Sequence, residues 1–195
     1  MPQPSITHLE RRKIEAGVLI PMVQAYQRAI GKERANEIAR EVIIELARKD
    51  GARWAQQFGD DLSAMEKVSG IWAAGGSLSI DPMGKAEDRL DFNVTRCQYA
   101  EFYKQLGLPE LGYLFHCNRD FAMVEGFSPG LDLKRTQTIM EGASHCDFRF
   151  VRKTERRQQS PCSGPPTSYA CRSVGASHLG GGSPRHSADG GGSEG

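Results

Sequence analysis

Thiol, imidazole, carboxylate and guanidinium groups are concentrated between residues 97 and 150 of this chain. Three of its five cysteines fall there, and two of them directly follow a histidine, in the pairs His116-Cys117 and His145-Cys146. A plain apolar core has little use for so many ionisable groups. We therefore expect this stretch to hold a reaction site and the preceding half of the chain to support it.

Cys117 and Asp120 are the pair with the clearest catalytic chemistry. Cys117 is the first candidate nucleophile, with His116 or His145 as the group that promotes its thiolate; a buried structural cysteine is the alternative. Asp120 would lie on the same helical face as Cys117 if one helix continues through both residues. Its carboxylate would then act as a general base on water, unless it only caps the next segment.

In the strand predicted after His145, only one of the neighbouring side chains of Cys146 and Asp147 can face a site. Cys146 and Asp147 point to opposite faces if that strand is regular. We expect Cys146 to point inward, because Phe148 and Phe150 share its side and indicate a core face. Cys146 is therefore a further catalytic candidate, and Asp147 is a candidate substrate contact only if a bulge turns it inward.

Four residues are candidates for binding a substrate: Arg135, Thr136, Thr138 and Cys97. A guanidinium binds a carboxylate through two parallel hydrogen bonds, so Arg135 would hold an acidic ligand unless it is a surface residue paired with a neighbouring acid. The two threonines would donate hydrogen bonds, although β-branched residues are also ordinary strand formers. Cys97 precedes a predicted helix, whose dipole lowers the pKa of a thiol; an inert half-buried thiol is the alternative.

The same thiols, with nearby imidazoles and carboxylates, are also the ligand types of a three-ligand zinc centre with an open position for water. The ligands are scattered along the chain without any short chelating pair. We therefore expect no metal and no cofactor, with zinc as the alternative.

The first predicted helix must support this region from the N-terminal side. Thr7 and Glu10 have the spacing of a capping box, and apolar residues then recur at helical spacing as far as Ile30. Pro21 interrupts the backbone donors of that pattern, so the sequence predicts a kink or two consecutive short helices.

A second helix is predicted over residues 33–58 and a third from residue 60 to the Gly75-Gly76 pair. The apolar positions of these helices are interpreted as core, and their Lys, Arg and Glu residues as solvated faces. The apolar positions predicted for the first two helices include Ile14, Val18, Met22, Tyr26, Ile30, Ile38, Val42, Ile43, Leu46 and Ala47.

A small antiparallel sheet is predicted to follow. Alternating apolar and polar residues indicate strands at 88–95, 131–139 and 146–150. Residues 75–85 are predicted to be a loop because they contain Gly-Gly, Asp-Pro and another glycine.

A short helix capped by Thr95 is expected next, and another is expected to begin at Pro109. Residues 120–127 fit either a helix or a strand. The fold class is therefore α+β, with an N-terminal layer of two or three helices packed on a small antiparallel sheet that short helices interrupt.

The composition changes from residue 156 onward. The last 40 residues contain 9 Gly, 8 Ser and 4 Pro, and such a segment cannot bury enough apolar surface to offset its ordering entropy. We predict a folded domain over residues 1–155 and a disordered tail over 156–195.

Charge and hydropathy exclude several classes of partner. The net charge of +1 gives no electrostatic argument for binding nucleic acid or an anionic membrane, and no apolar run is long enough for a membrane span. The N-terminus lacks the apolar stretch of a signal peptide, and an odd number of cysteines fits reduced thiols. The predicted partner is a small-molecule substrate in the cytoplasm; the oligomeric state is not predicted.

Five elements in this order carry a family resemblance. They are Val94-Thr95-Arg96-Cys97, Gly107-Leu108-Pro109-Glu110-Leu111, Cys117-x-x-Asp120, Arg135-Thr136-x-Thr138 and Gly142-x-x-x-Cys146-Asp147-Phe148. Over about residues 10 to 152, the chain resembles the L-2-amino-thiazoline-4-carboxylic acid hydrolase family.

The resemblance implies hydrolytic opening of a 2-amino-thiazoline ring to a carbamoyl-L-cysteine, on the way to L-cysteine. Water or an enzyme nucleophile would add to C2, the amidine carbon, and either the ring thiolate or the ring amine would leave. The alternatives are a hydrolase of another small cyclic amidine or amide, a non-catalytic domain that senses a small ligand, and a thiol redox or zinc-binding module.

Overall fold

Two long antiparallel helices form the first part of the computed structural model, which describes residues 6–153. Helix α1 spans His8–Ile30 and helix α2 spans Lys32–Phe58. The predicted capping box is confirmed, because the Thr7 hydroxyl accepts from the Glu10 N–H while the Glu10 carboxylate accepts from the Thr7 N–H. Gly31, with φ of 88°, joins the helices directly in a conformation that favours glycine.

Helix α1 continues through Pro21 without dividing into two helices. Of the two predicted alternatives, a kink or two consecutive short helices, the second is therefore wrong. A proline removes one backbone donor, and the packing of α1 against the rest of the fold maintains the helix around it.

The apolar pattern of α1 and α2 is only partly buried. Val23, Ile43 and Ala47 are buried as predicted, and Ala16, which was not among the predicted core positions, is buried as well. Eight other large apolar side chains are exposed, contrary to the prediction that they are core, because a helix presents only one face to its neighbours. These eight residues are Ile14, Val18, Met22, Tyr26, Ile30, Ile38, Val42 and Leu46.

Helix α3 spans Leu62–Ala73, and its cap is Asp61, whose carboxylate accepts from the Ala64 N–H at 2.8 Å. No helix among the described residues is long and apolar enough to cross a membrane.

The predicted small sheet is present and has four antiparallel strands in the order β1-β2-β4-β3. The strands are β1 (Leu78–Ala86), β2 (Arg89–Cys97), β3 (Leu131–Lys134) and β4 (Cys146–Arg152). Strand β1 corrects the prediction of a loop over residues 75–85. It is an edge strand, where a proline and register shifts are tolerated, and one of its two shifts lies between Pro82 and Gly84.

Short helices connect β2 to β3. Helix α4 spans Gln98–Gln105, α5 spans Pro109–Gly112, a π-helical turn covers Tyr113–Cys117, and α6 spans Arg119–Phe127. The ambiguous segment after residue 120 is therefore helical. The cap of α4 is the Cys97 thiol, which accepts from the Ala100 N–H at 3.4 Å, instead of the predicted Thr95.

Helices α2 and α6 approach each other at a pair of glycines. A Cβ atom added at Gly51 would lie 2.0 Å from the Met123 carbonyl oxygen, and one added at Gly126 would lie 2.1 Å from the Arg48 carbonyl oxygen. The backbones can meet this closely only because both residues lack a side chain. This contact positions α6 beside α2 along the wall of the site.

The α+β fold class is confirmed in the described residues. One apolar cluster lies between the sheet and helices α2, α3 and α6, and a second lies between α1, α2 and the short helices. The predicted tail from residue 156 onward, and with it the proposed domain boundary, lies outside the residues that the structure describes.

Candidate active site

One cavity of about 100 Å³ collects most of the predicted site residues. A single buried water needs only about 10–15 Å³ by this measure, so the cavity has room for a small ligand. The tryptophans of α2 and α3, Trp54 and Trp72, contribute to its apolar wall. The predicted residues that line it are Cys97, His116, Cys117, Asp120, Arg135 and Cys146.

The two cysteines on the sheet reach the cavity because their strands pair at one edge. Val94 of β2 lies opposite Cys146 of β4, so the end of β2 and the start of β4 meet. Cys97 ends β2 and lines the same cavity. Cys146 shares the buried face of β4 with Phe148, which is the orientation that the alternation predicts.

His116 and Cys117 are presented by the π-helical turn. The Asn118 N–H bonds to the Tyr113 carbonyl at 2.9 Å, five residues back, which widens the helix locally. Such π-bulges are frequent at functional sites. Asp120 follows one turn later on α6 and faces the same cavity, which is the arrangement expected if the helical path continues.

Asp120 and Arg135 form a buried ion pair at 2.5 Å, and the second Nη of Arg135 donates to the Cys117 carbonyl at 2.9 Å. The Arg135 guanidinium also lies over the rings of Phe121 and Phe148, 5.0 and 5.5 Å from their centroids. Its side chain is 3% exposed. The fork that was expected to hold a substrate carboxylate is thus occupied by groups of the protein.

Burial raises the pKa of Asp120 above its ordinary value, and the Arg135 charge offsets only part of that effect. A carboxylate with a raised pKa is a stronger base than an exposed one, and a larger fraction of it is protonated near neutral pH, so it can both accept and supply a proton during a reaction. Asp120 is therefore the group in the cavity best suited to move a proton.

The three thiols of the cavity are held in the protonated form. Burial raises the pKa of Cys117 well above that of a free thiol and raises the pKa of Cys97 to about 11. The pKa of Cys146 is also raised by burial. At Cys97, burial outweighs the lowering by the hydrogen bond from the helix N-terminus, so the pKa fits the alternative of an inert, half-buried thiol.

Among the described residues, the ring of His116 makes no hydrogen bond to a thiol. Its Nε2 lies 3.0 Å from the Tyr103 hydroxyl, and burial lowers its pKa well below the ordinary value. The imidazole is neutral at physiological pH and belongs to the wall of the cavity together with Tyr99.

Five ionisable residues that line the cavity were not predicted: His8, Arg12, Asp50, Tyr99 and Arg119. Arg12 and Arg119 each donate an Nη2 hydrogen bond to the same Asp50 oxygen, at 3.4 and 2.5 Å. Arg12 belongs to the Lys, Arg and Glu runs of the N-terminal helices, which were interpreted as solvated faces, and Asp50 was given no role. No spacing in the sequence pairs residues 12, 50 and 119. The only local signal was Arg119 beside Asp120.

The ring of His8 is neutral and has a defined tautomer. The Tyr99 hydroxyl donates to the Trp72 carbonyl at 3.1 Å, so at 2.9 Å the Nδ1 of His8 must donate to the Tyr99 oxygen. Its Nε2 is then an acceptor that faces Arg12 Nη2 at 3.5 Å. Burial first, and Arg12 second, lower the pKa of His8 to about 3.

The depressed pKa of His8 predicts acid sensitivity of the fold. Between the ordinary pKa of about 6.5 and the folded value of about 3, the unfolded chain binds a proton at His8 that the folded chain does not. Stability therefore falls as pH decreases, by about 2 kcal/mol between pH 7 and pH 5 from this residue. Urea unfolding of the wild type and of His8→Gln at both pH values should show a smaller loss in the variant; equal losses would contradict the assignment. His145→Gln is the matched control.

His145 and Thr138 lie outside the cavity. The ring of His145 contacts the Gln137 side chain, with 3.0 Å between the two nitrogens, and so is not placed to promote a thiolate at Cys117. Thr138 is buried and caps the 3₁₀ turn at Ile139–Glu141.

Asp147 and Thr136 are also not among the residues that line the cavity, and they bind each other. Although burial alone would raise the pKa of Asp147, hydrogen bonds from Thr136 and Gln137 lower it. The Thr136 hydroxyl donates to the carboxylate at 2.7 Å, and two backbone N–H groups donate to its other oxygen. These contacts hold the loop that follows β3, so Asp147 organises the segment that carries Arg135.

The described residues contain no group of three or more His, Cys, Asp and Glu side chains arranged to hold a metal ion. The three thiols line one cavity, but each is engaged or buried separately: Cys97 at the N-terminus of α4, Cys146 on the Ile139 N–H at 3.2 Å, and Cys117 on the π-helical turn.

A comparison with family models agrees with the resemblance seen in the motifs. A family model described as L-2-amino-thiazoline-4-carboxylic acid hydrolase matches residues 11–150, which include every predicted site residue. No curated protein matches the sequence.

Proposed function

Because the chain belongs to the L-2-amino-thiazoline-4-carboxylic acid hydrolase family, we propose that it opens the ring of L-2-amino-thiazoline-4-carboxylate with water and releases a carbamoyl-L-cysteine. The family name indicates a hydrolase, and the observation that carries the specific proposal is the cavity shared by Asp120, Arg135 and three thiols. Loss of the carbamoyl group from the product would give L-cysteine, so the proposed place of the reaction is a cytoplasmic route to that amino acid.

Asp120 is the proposed general base. Its carboxylate takes a proton from a water molecule while the water oxygen adds to C2, the amidine carbon of the ring. The electron pair of the C2=N bond passes to the ring nitrogen, which takes the remaining O–H proton of the adduct. The adduct then collapses to a carbonyl as one ring bond to C2 breaks, and the protonated Asp120 returns its proton to the leaving atom. Arg135 holds the carboxylate in place through the ion pair at 2.5 Å.

The ring bond that breaks determines the product. Loss of the ring sulfur gives N-carbamoyl-L-cysteine, which carries a free thiol, and loss of the ring nitrogen gives S-carbamoyl-L-cysteine, which carries a free amine. Both reactions consume one water and balance in the same way. A thiol-specific reagent added to the quenched reaction distinguishes the two products.

Cys117 is proposed to line the site without attacking the substrate. The nucleophilic form of cysteine is the thiolate, and burial keeps Cys117 protonated at neutral pH. Cys117→Ala should therefore retain turnover within about 10-fold of the wild type. An adduct on Cys117, detected by mass spectrometry of enzyme quenched during turnover, would instead assign it as the nucleophile.

The test of the function is incubation of the purified full chain with the thiazoline, with the product followed by mass spectrometry. The expected result is a product heavier than the substrate by one water. The reaction is proposed to need no metal, so dialysis against a chelator should leave the rate unchanged, and stoichiometric zinc in protein purified without chelator would contradict that part. A full chain that binds the thiazoline but releases no product would be a ligand-sensing domain, and the hydrolase proposal would fail.

A further inference from the structure

We propose that Arg12 and Arg119, and not Arg135, form the binding site for the carboxylate of the substrate. This inference rests on the proposed function and adds the residues that recognise the acidic end of the molecule. It assigns a role to a cluster that lies in the cavity but that the ring-opening step does not use.

The first argument is a count of charge. Among the described residues that line the cavity, the cations are Arg12, Arg119 and Arg135, and the anions are Asp50 and Asp120. Asp120 is paired with Arg135, so two guanidinium groups share the single carboxylate of Asp50. Buried charges are normally matched, and one positive charge therefore remains for an anionic ligand.

Residues just outside the cavity do not change this balance. Glu15 pairs with Arg12 at 2.6 Å and adds one negative charge, while Arg53 pairs with Asp50 and adds one positive charge. Both are more exposed than the groups that they contact. The excess of one cation remains when they are included.

The second argument is free hydrogen-bonding capacity. Arg12 Nε is buried and has no hydrogen-bond partner among the described residues, and an unmet buried donor is costly unless a ligand satisfies it. Arg119 is buried, and its guanidinium has five N–H donors. One of its Nη groups donates to Asp50. Arg12 gives its Nη groups to Glu15 and Asp50, as Arg135 gives its own to Asp120 and the Cys117 carbonyl. Arg12 differs in keeping the buried Nε without a partner among the described residues.

The third argument is the spatial order of the groups. Arg119 and Asp120 are consecutive on α6, so their side chains leave the helix in different directions and still face one cavity. A ligand with an amidine at Asp120 can therefore place a carboxylate toward Arg119 and Arg12. The rings of His8 and His116 lie beside these arginines. Because both rings are neutral, they do not compensate the positive charge of the two guanidinium groups.

The test measures binding without turnover. Thiazolidine-4-carboxylate keeps the five-membered sulfur ring and the carboxylate but lacks the amidine carbon, and its methyl ester lacks the charge. Calorimetric titration of the wild-type full chain should show binding of the acid about 10-fold or more tighter than binding of the ester, as expected for a lost charged hydrogen bond. Arg119→Gln and Arg12→Gln should reduce that ratio toward one.

Control variants keep the proposal falsifiable. Arg119→Lys keeps the charge and should retain part of the preference for the acid, and Arg53→Gln, which changes an exposed partner of Asp50, should retain all of it. Equal binding of acid and ester in the wild type overturns the proposal. A preference that survives both Gln variants and disappears in Arg135→Gln also overturns it, in favour of Arg135. A preference for the acid in a chain that does not turn over the thiazoline would leave this site standing while the proposed function fails.

Discussion

Replacement of Asp120 by Asn should lower kcat/KM for 2-amino-thiazoline-4-carboxylate at least ~100-fold while the chain remains folded. The amide has the shape of the carboxylate and still offers an oxygen to Arg135, but it cannot accept a proton from water. The measurement is steady-state kinetics with purified wild type and variant, with circular dichroism to verify the fold. Asp132→Asn, at an exposed position of β3, is the matched control and should keep the wild-type rate.

The pH dependence gives a second readout of the same residue. Because burial raises the pKa of Asp120, the active carboxylate form should be lost as pH falls through a value above the ordinary aspartate pKa of about 3.9. The wild type should therefore show an acid limb in kcat/KM that the residual activity of Asp120→Asn lacks. Full activity of the Asn variant would remove Asp120 from the mechanism and leave the reaction class open.

Gly126→Ala should destabilise the fold by about 3 kcal/mol or more. The added Cβ would lie 2.1 Å from the Arg48 carbonyl oxygen and 2.7 Å from its carbonyl carbon. Both are backbone atoms, so no side-chain rotation relieves the contact and the two helices must separate. The measurement is the free energy of unfolding from urea titration.

Gly70→Ala on α3 is the control for this substitution. It is also a helical glycine, but its added Cβ would have no atom within 4 Å. It should be neutral or stabilising by up to about 1 kcal/mol, since alanine favours helix. Equal effects of the two substitutions would show that the α2–α6 contact is not tight. Surviving Gly126→Ala protein should also lose activity, because Asp50 and Arg119 lie on the two helices that separate.

The sequence alone predicted the features that depend on neighbouring residues. The capping box at Thr7, the period of α2, and the alternation that turns Cys146 toward the core are set by contacts a few residues apart. Ordered motifs between residues 94 and 148 also identified the family. Most of the predicted residues, including Asp120, therefore meet in the cavity.

Only the tertiary structure decided which charges are buried and which groups they pair with. Arg12 and Asp50 have the spacing of solvated residues, and only the close approach of α2 to α6 and of α1 to α2 brings them to Arg119. The same holds for Cys97, whose position at a helix start predicts a lowered pKa and whose burial raises it. Local sequence determines periodicity and caps, because these are interactions along the chain. Desolvation and ion pairing depend on which distant segments pack together, and no local pattern contains that information.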